Sequence, residues 1–379
     1  MSKPYPMSNT DKHIAFLLGS GFSVPAGLPT AKMLWGKIKD CYYSQLKYEF
    51  ESKSVMEKSV TDWWLFPFWK ILKSYQNENK INYEDFYDRI LKEKEGTVCV
   101  TCLRKFVSDN VNKYWKGGNK LSLKISLFDD WQRELVKNYG NIIDVCINKY
   151  QEIIYENLSH ANKIDDYKNF VSIIKKLCSC GNYIDIFTLN HDLLVERLLQ
   201  TYSINFDDGF DYESPKKIGK HAFYDANINS FNNGKVNIYK LHGSIDLYQY
   251  IEDNKSEICY AKVTNGDPYM MSQKTIFNLT PYFLTGTTAK IVEYEHNEYI
   301  QQRLSIFGNK LKIADELIAI GYSGNDGGIN DIIYESYDNW DNAVIIAPDA
   351  NNHLFVKDKQ AKPINKGIES LSLNDLDIH

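Results

Sequence analysis

The stretch His13–Gly27, HIAFLLGSGFSVPAG, decides the fold class of this chain of 379 residues. Its apolar run stops at Gly19, which is the pattern of a short strand buried on both faces. Gly19 and Gly21 then allow close approach of a phosphate, and the helix predicted next offers free backbone N–H groups. The stretch therefore predicts a strand, a glycine turn and a helix, either for binding a nucleotide or simply as a tight connection.

Further segments repeat this pattern of a short apolar run followed by glycine or polar residues. They are Tyr183–Leu189, Val236–Leu241, Leu317–Tyr322 and Ala343–Ala347. Helical patterns such as Asp192–Thr201 and Tyr299–Ala314 lie between them. This alternation predicts an α/β fold with a Rossmann-like, doubly wound parallel sheet. In such sheets ligands bind at the carboxyl ends of the strands.

The first strand and the rest of the sheet are separated by a long stretch with apolar residues at helical spacing. We predict that residues 31–180 form a large helical insertion or second domain, and that residues 1–30 and 181–379 form the sheet domain. Within the insertion, Thr61–Trp69 (TDWWLFPFW) has five aromatic residues in nine. That segment is either core of the helical domain or an exposed contact surface.

Composition narrows the class of protein. The net charge of −5 lacks the basic excess of a phosphate-backbone binder, so direct binding of nucleic acid is not expected. No apolar stretch reaches the roughly 18 residues of a membrane span, and Met1–Asp11 has no apolar core of a secretory signal. We therefore expect a cytoplasmic protein whose seven cysteines are reduced. Lys357–His379 is polar and only weakly periodic, which predicts partial order.

Two other predicted strands end in polar motifs, Thr188–Asp192 (TLNHD) and Lys240–Ser244 (KLHGS). Polar groups therefore converge on one edge of the sheet. The third glycine of the first turn lies at Gly27, which departs from the spacing G-x-G-x-x-G and argues against a redox dehydrogenase. The chain has no G-x-S-x-G sequence, which argues against a serine hydrolase of the α/β type.

Taken together, the motifs on the strand ends resemble those of the sirtuin-like (SIR2-like) family, in the same order. They are GSGFSVPAGLPT (Gly19–Thr30), TLNHD, LHGS and IGYSGND (Ile320–Asp326). The resemblance covers about 200 residues of the sheet and leaves the helical insertion outside it.

The resemblance implies NAD as the substrate and a role for each matching residue. Asn190 and His242 would be catalytic, Asn190 orienting the nicotinamide ribose and His242 acting as general base. The residues implied in NAD binding are Gly19, Ser20, Gly21 and Ser23 for the pyrophosphate and ribose, Asp192 for the carboxamide, and Gly321 and Ser323 for the adenosine half. The family usually has an apolar residue in place of His191, whose role stays open.

The chemistry agrees with these assignments. Cleaving the bond between nicotinamide and C1′ of the ribose expels a neutral leaving group from a cationic ring, so no strong acid is needed. The reaction requires a positioned ribose, stabilisation of an oxocarbenium-like centre, and a base for water or a ribose hydroxyl.

Departures from the family set the chain apart from protein-deacylating sirtuins. Those enzymes have Asp-Phe-Arg where this chain has Thr30–Lys32, Gln in place of Leu189, and four zinc-binding cysteines beyond the histidine, where only Cys259 occurs here. We therefore expect no zinc ribbon. The alternative zinc ligands Cys99, Cys102, Cys178 and Cys180 have an unfavourable spacing. Asn190 and His242 lie 52 positions apart, which predicts an added loop around Asn205–Gly234.

The pattern that remains is similar to the bacterial sirtuin-like NAD hydrolases of antiphage defence. It predicts hydrolysis of NAD to nicotinamide and ADP-ribose, or to a cyclised form. A regulatory subunit that only binds NAD or ADP-ribose, and a protein ADP-ribosyltransferase or deacylase, are the alternatives. The resemblance implies a partner such as a HerA-type ATPase. We also expect a homo-oligomer, assembled through Trp63, Trp64, Phe66, Phe68 and Trp69 if these are exposed.

Overall fold

A computed structural model describes residues 11–39, 52–53, 65–75, 82–95, 139–161, 163–218, 221–226, 234–252, 257–264, 275–277, 281–285 and 287–376. The described strands are β1 (His13–Leu18), β2 (Tyr183–Thr188), β3 (Lys216–Ile218), β4 (His221–Asp225), β5 (Val236–Lys240), β6 (Leu247–Glu252), β7 (Ile258–Thr264), β8 (Thr275–Phe277), β9 (Glu316–Ile320), β10 (Ala343–Ile346) and β11 (Lys362–Ile364). The described α-helices are α1 (Ser20–Ser23), α2 (Ala31–Lys37), α3 (Phe66–Ser74), α4 (Tyr83–Glu95), α5 (Tyr139–Leu158), α6 (Lys168–Ser179), α7 (Leu194–Thr201), α8 (Thr287–His296), α9 (Glu298–Lys312), α10 (Gly327–Ser336) and α11 (Leu354–Lys359).

Six parallel strands form the main sheet, in the order β11-β10-β9-β1-β2-β5. Each predicted strand is present, with its ends moved by one or two residues. The order reverses direction beside β1, since the chain continues to β2 on one side and reaches β9 on the other. The predicted α/β class and doubly wound parallel sheet are confirmed.

Alternate residues of β1 supply two separate cores. Ile14, Phe16 and Leu18 face a cluster that includes apolar residues of α6 and α7. Ala15 and Leu17 face a second cluster that includes apolar residues of α9, α10 and α11. A strand buried on both faces needs apolar residues at every position, which explains the continuous run in the sequence.

A second sheet is antiparallel, in the order β3-β4-β7-β6-β8. The prediction of a simple added loop around Asn205–Gly234 is wrong, because β3 and β4 form a hairpin there and β4 pairs with β7. The strands of this sheet are short, and tyrosine and lysine recur among their apolar residues, as in ICYAKVT of β7. They lack the apolar run that marks the parallel strands.

The described part of the C-terminal segment, up to residue 376, folds against the parallel sheet, so the prediction of partial order over Lys357–His379 is wrong for that part. Strand β11 joins the sheet beside β10. Two 3-10 helices follow, Ile368–Ser370 and Leu373–Leu376. Ile368, Leu371 and Leu376 pack in the same core as Phe16. These apolar residues, at irregular spacing, attach the segment to the core.

The chain divides into two compact units. One comprises Met1–Thr30, Tyr155–Leu284 and Lys290–His379, and the other Ala31–Ile154 with Thr285–Ala289. The predicted domains differ from this division over residues 155–180, because Phe170 and Ile174 of α6 pack in the sheet core. The predicted domain boundaries stay a prediction.

The second unit has its own aromatic core. The ring of Phe86 lies within 5.1 to 5.8 Å of the rings of Trp35, Phe68 and Tyr150. Phe68 and Trp69 are buried, so neither offers the exposed anchor considered for assembly. Trp63 and Trp64 lie outside the described residues, as does the side chain of Phe66. Among the described helices of the chain, none has the length and apolar run needed to cross a bilayer.

Candidate functional site

Four loops leave the carboxyl edge of the parallel sheet side by side, because β9, β1, β2 and β5 are adjacent in it. Leu18 is paired with Thr188 and with Ile320, and Thr188 is paired with Lys240. Asn190 and His242 therefore each lie two residues beyond paired positions on neighbouring strands, which run roughly 4.8 Å apart. The sheet brings together the loops that carry all the predicted site residues.

The loops after β1 and β9 are packed backbone against backbone. The Gly19 amide donates to the Ile320 carbonyl and the Gly21 amide to the Gly321 carbonyl, each at 3.0 Å. A Cβ on Gly19 would lie 2.6 Å from Tyr322 Cα, and one on Gly21 would lie 2.8 Å from Gly321 Cα. Gly321 has φ of +61° and faces the Phe22 amide. These glycines are therefore required by the fold itself as well as by the predicted ligand.

Beside this contact lie residues that remain open to solvent. Ser20, Gly21 and Ser323 are exposed on two adjacent loops, and Gly321 is partly exposed. Exposed backbone with small side chains permits close approach of a phosphate or a ribose. The structure thus leaves the predicted NAD-binding face of these loops accessible.

Ser23, Asn190 and Asp192 form one hydrogen-bonded cluster. The Asn190 side-chain amide donates to the Gly19 carbonyl at 2.9 Å and to Ser23 Oγ at 3.0 Å. Ser23 Oγ donates in turn to Asp192 Oδ2 at 2.8 Å, and Asp192 Oδ1 accepts from the Leu194 amide at 3.0 Å. All three side chains are buried. The cluster fixes the loop after β2 to the turn after β1.

The buried side chain of Lys240 also holds the loop after β2 in place. Lys240 Nζ donates to the backbone carbonyls of Asn190, at 3.4 Å, and of Asp192, and it lies 3.2 Å from Glu196 Oε1. Burial raises the pKa of the Glu196 carboxyl, although Lys240 and Lys262 oppose that shift.

Lys262 is a second buried lysine, and its ammonium lies 3.9 Å from the same carboxylate oxygen of Glu196. Its ammonium lies 2.6 Å from Asp208 and 3.5 Å from Asp246. Burial lowers the pKa of the Lys262 ammonium, but Asp246, Asp208 and Glu196 together raise it well above its usual value. Lys240 therefore supports the loop directly, whereas Lys262 pairs with carboxylates of other segments, and sequence reasoning anticipated neither set of contacts.

His242 lies at the carboxyl end of β5 and is only 3% exposed. Its Nε2 is 2.6 Å from the Tyr294 hydroxyl and 3.5 Å from Asp326 Oδ2. Burial, and secondly the charge of Lys290, lower the pKa of the imidazole well below its usual value. The ring is therefore neutral at neutral pH, the state that a general base requires.

His191 lies next to His242, with the ring centroids 6.4 Å apart, and its ring packs against that of Phe283 in a tilted arrangement, with centroids 4.9 Å apart. Its carbonyl accepts from the Ile245 amide at 3.0 Å, which ties the loop after β2 to the loop after β5. Burial lowers the pKa of this imidazole well below its usual value, and His242, Lys290 and Lys240 lower it further. Two neutral imidazoles therefore share the site.

Sequence reasoning missed the residues around His242. Tyr294 lies on α8 and Asp326 is the N-cap of α10, where its Oδ1 accepts from the Ile329 amide at 3.2 Å. Asp326 ends the motif IGYSGND, and an Asp before a helical pattern signals a cap. Tyr294 has no comparable signal, since nothing in the sequence connects it with a histidine 52 positions away.

The described residues contain no group of three or more His, Cys, Asp or Glu side chains arranged to hold a metal ion. Cys178 is half-buried and Cys180 exposed, whereas Cys99 and Cys102 lie outside the part of the chain that the structure describes. The expectation that the protein lacks zinc stays a prediction.

Comparison with known proteins finds a match to one family model over part of the chain. Residues 185–366 match the family model of the SIR2-like domain, a range that includes Asn190, His242 and Gly321. No curated protein sequence matches the chain. Among solved structures, a Sir2 homologue mutant in complex with ADP-ribose has a TM-score of 0.38 at 12% identity, over 97% of this chain and 90% of that chain. A complex of a Sir2 homologue with NAD has a TM-score of 0.39 at 12% identity, over 97% of this chain and 88% of that chain.

Proposed function

We propose that this chain, which carries a SIR2-like domain over residues 185–366, is an NAD glycohydrolase. It would convert NAD to nicotinamide and ADP-ribose, or to a cyclised form of ADP-ribose. The observation that carries the proposal is the pairing of two features on adjacent strand ends. One is the hydrogen-bonded cluster of Ser23, Asn190 and Asp192, and the other is the buried, neutral imidazole of His242.

In the proposed reaction, His242, Asn190 and Asp192 have separate roles. The bond between C1′ of the ribose and the nicotinamide nitrogen breaks, and its electron pair neutralises the positive charge of the ring. A water oxygen forms the new bond to C1′, and His242 accepts a proton from that water and later releases it to solvent. Asn190 and Asp192 hold the nicotinamide ribose and carboxamide, so that the water and C1′ meet in one orientation. In a cyclisation, a group of the same molecule replaces the water.

The open face of the two glycine loops is where the rest of NAD would bind. Ser20 and Gly21 would contact the pyrophosphate, and Gly321 and Ser323 the adenosine half. Their exposure, together with small side chains, supports this assignment.

Two alternative functions are less well supported. A subunit that only binds NAD needs no base, yet His242 is buried in its neutral form beside the cluster. A deacylase or transferase needs a site for a protein substrate, and the residues that deacylating sirtuins use in the first loop are replaced here by Thr30–Lys32.

We further propose a role in antiphage defence, in which consumption of NAD stops an infected cell. An unrestrained NAD hydrolase would harm its own host, so activity has to be gated. Self-assembly, or a separate partner such as a HerA-type ATPase, would supply the gate. Because Phe68 and Trp69 are buried, any assembly surface on the second unit has to use other residues.

The test is chromatography of NAD incubated with the purified full chain, alone and with the products of neighbouring genes, with the products identified by mass. We expect equimolar nicotinamide and ADP-ribose or its cyclised form. Tight NAD binding with no loss of NAD under every condition would favour the regulatory alternative. Transfer of ADP-ribose to a protein, or loss of an acetyl group from an acetyl-lysine peptide, would favour the transfer alternatives.

A further inference from the structure

We propose that Tyr294 and Asp326 are positioning residues that keep a proton on Nε2 of His242, so that Nδ1 is the atom that accepts the proton of the substrate. The inference deepens the proposed function, on which it rests for the identity of the substrate. The geometry itself stands on the contacts of His242, which join the end of β5 to α8 and to the N-terminus of α10.

The arrangement of donors and acceptors decides which nitrogen carries the proton. The Tyr294 hydroxyl is 2.6 Å from His242 Nε2 and 3.4 Å from Asp326 Oδ2. A carboxylate only accepts, so the hydroxyl proton points to Asp326 when both contacts are hydrogen bonds. The hydroxyl oxygen then accepts from Nε2–H. This chain of donors, from His242 through Tyr294 to Asp326, leaves the lone pair on Nδ1.

The charges around the His242 imidazole also favour uptake of a proton at Nδ1. When Nδ1 accepts a proton, the ring becomes an imidazolium with Asp326 Oδ2 only 3.5 Å from Nε2, which stabilises the new charge. The Lys290 ammonium lies 3.6 Å from the same carboxylate oxygen and opposes that effect, and the neighbouring His191 is neutral. Because the charges of Asp326 and Lys290 oppose each other, His242 can gain a proton during the reaction and lose it afterwards.

The two residues are themselves held in place. Asp326 Oδ1 caps α10 while Oδ2 faces His242, so its two oxygens have separate tasks. The Tyr294 ring packs beside Gly328, where a Cβ would lie 2.6 Å from the ring. The packing of Tyr294 and the capping role of Asp326 hold both side chains in place beside His242. Only partners held in this way can fix the tautomer of a histidine.

The substitutions that test the proposal can be matched closely. Asp326→Asn removes the charge but keeps a side chain that caps a helix well. Tyr294→Phe removes only the hydroxyl. Tyr334→Phe is the control, because it also removes a hydrogen bond from tyrosine to aspartate, at 3.0 Å to Asp358, on the helix that Asp326 caps.

The primary experiment is histidine-selective ¹⁵N NMR of the full-length protein near neutral pH, with the His242 signals assigned by their loss in His242→Ala. We expect the wild type and Tyr334→Phe to hold His242 mainly as the Nε2–H tautomer, and Tyr294→Phe and Asp326→Asn to give a mixture. A wild-type Nδ1–H tautomer would overturn the proposal, as would an unchanged tautomer in both variants. Because this readout needs no turnover, it decides the inference even if the protein does not cleave NAD.

A second readout links the tautomer to catalysis. In Tyr294→Phe and Asp326→Asn, kcat for NAD consumption should fall about tenfold or more, a part of the 10² to 10⁴ that a positioned base contributes, while KM changes little. In Asp326→Asn the acid limb of the pH profile should also move to lower pH, because the imidazolium has lost its carboxylate. A rise in KM with unchanged kcat and pH profile would show a role in binding or folding instead.

Discussion

The candidate site has two halves that the chain builds in different ways. The glycine half, Gly19, Gly21 and Gly321, consists of two loops whose backbones touch, so that the fold itself forbids larger side chains there. The polar half buries Ser23, Asn190, Asp192 and His242 at the carboxyl edge of the sheet, where apolar residues would have been less costly to bury. Changes in the glycine half should therefore damage the fold, and changes in the polar half should damage chemistry.

The largest effect should come from the polar half. His242→Ala should lower the rate of NAD consumption by about 10² to 10⁴, or roughly 3 to 5 kcal/mol in barrier height, in a protein that still folds cooperatively. The matched control is His13→Gln, since His13 begins β1 at the opposite edge of the same sheet. Wild-type rates in a folded His242→Ala variant would remove His242 from the mechanism.

The glycine half should respond in stability. Gly321→Ala should lower the free energy of unfolding by roughly 2 to 4 kcal/mol. The alanine would have to adopt the left-handed backbone conformation of Gly321, and its Cβ would clash with the Phe22 amide. Gly327→Ala is the control, since a Cβ at that position meets nothing within 4 Å. Urea unfolding would compare the two. Equal stabilities would show that the contact between the loops is loose.

The burial of His191 and His242 predicts a smaller effect, which is a dependence of the free energy of unfolding on pH. Their pKa values are lowered in the folded state, so the unfolded chain binds more protons once the pH falls below about 6.5. The stability that they contribute is present above that pH and is lost as the pH falls towards the folded pKa values. The slope should reach up to about 1.4 kcal/mol per pH unit for each histidine. Unfolding curves of His242→Gln between pH 5 and 7.5 should show a shallower slope, and an unchanged slope would mean that His242 is solvated.

The smallest effect tests the C-terminal segment. Hydrogen bonds from Lys366 and Ser372 lower the pKa of Asp375 to about 2. The stability from this carboxylate is present above the unfolded pKa of roughly 3.9 and is lost as the pH falls through about 2. Asp375→Asn should cost below about 1 kcal/mol at neutral pH, because the pair with Lys366 is partly exposed. A loss of several kcal/mol would mean that the segment holds the sheet together.

The sequence could predict the parallel sheet and the edge that carries the site. Strands buried on both faces, such as β1, are apolar throughout and end abruptly at glycine. Polar motifs on several such ends have to meet, because parallel strands share one carboxyl edge. The positions of Asn190 and His242 follow from that geometry alone.

The remaining features depend on contacts between distant residues. The antiparallel strands alternate polar and apolar residues irregularly, and Lys262 in β7 is buried only because Asp208 and Asp246 neutralise it. Tyr294 and Asp326 reach His242 from two separate helices. No local pattern specifies such pairs, since each requires the tertiary fold to bring its members together.

Calorimetric titration of NAD into the His242→Ala variant separates binding from catalysis, because binding is then measured without turnover. We expect that the variant binds NAD with about wild-type affinity and that chromatography of the same sample shows intact NAD. We also expect that binding is lost when the open face of the glycine half is blocked by Ser20→Trp. Absence of binding to a folded His242→Ala protein, or nicotinamide release by that variant at the wild-type rate, would contradict the assignment of catalysis to His242 and of NAD binding to the other residues of the site.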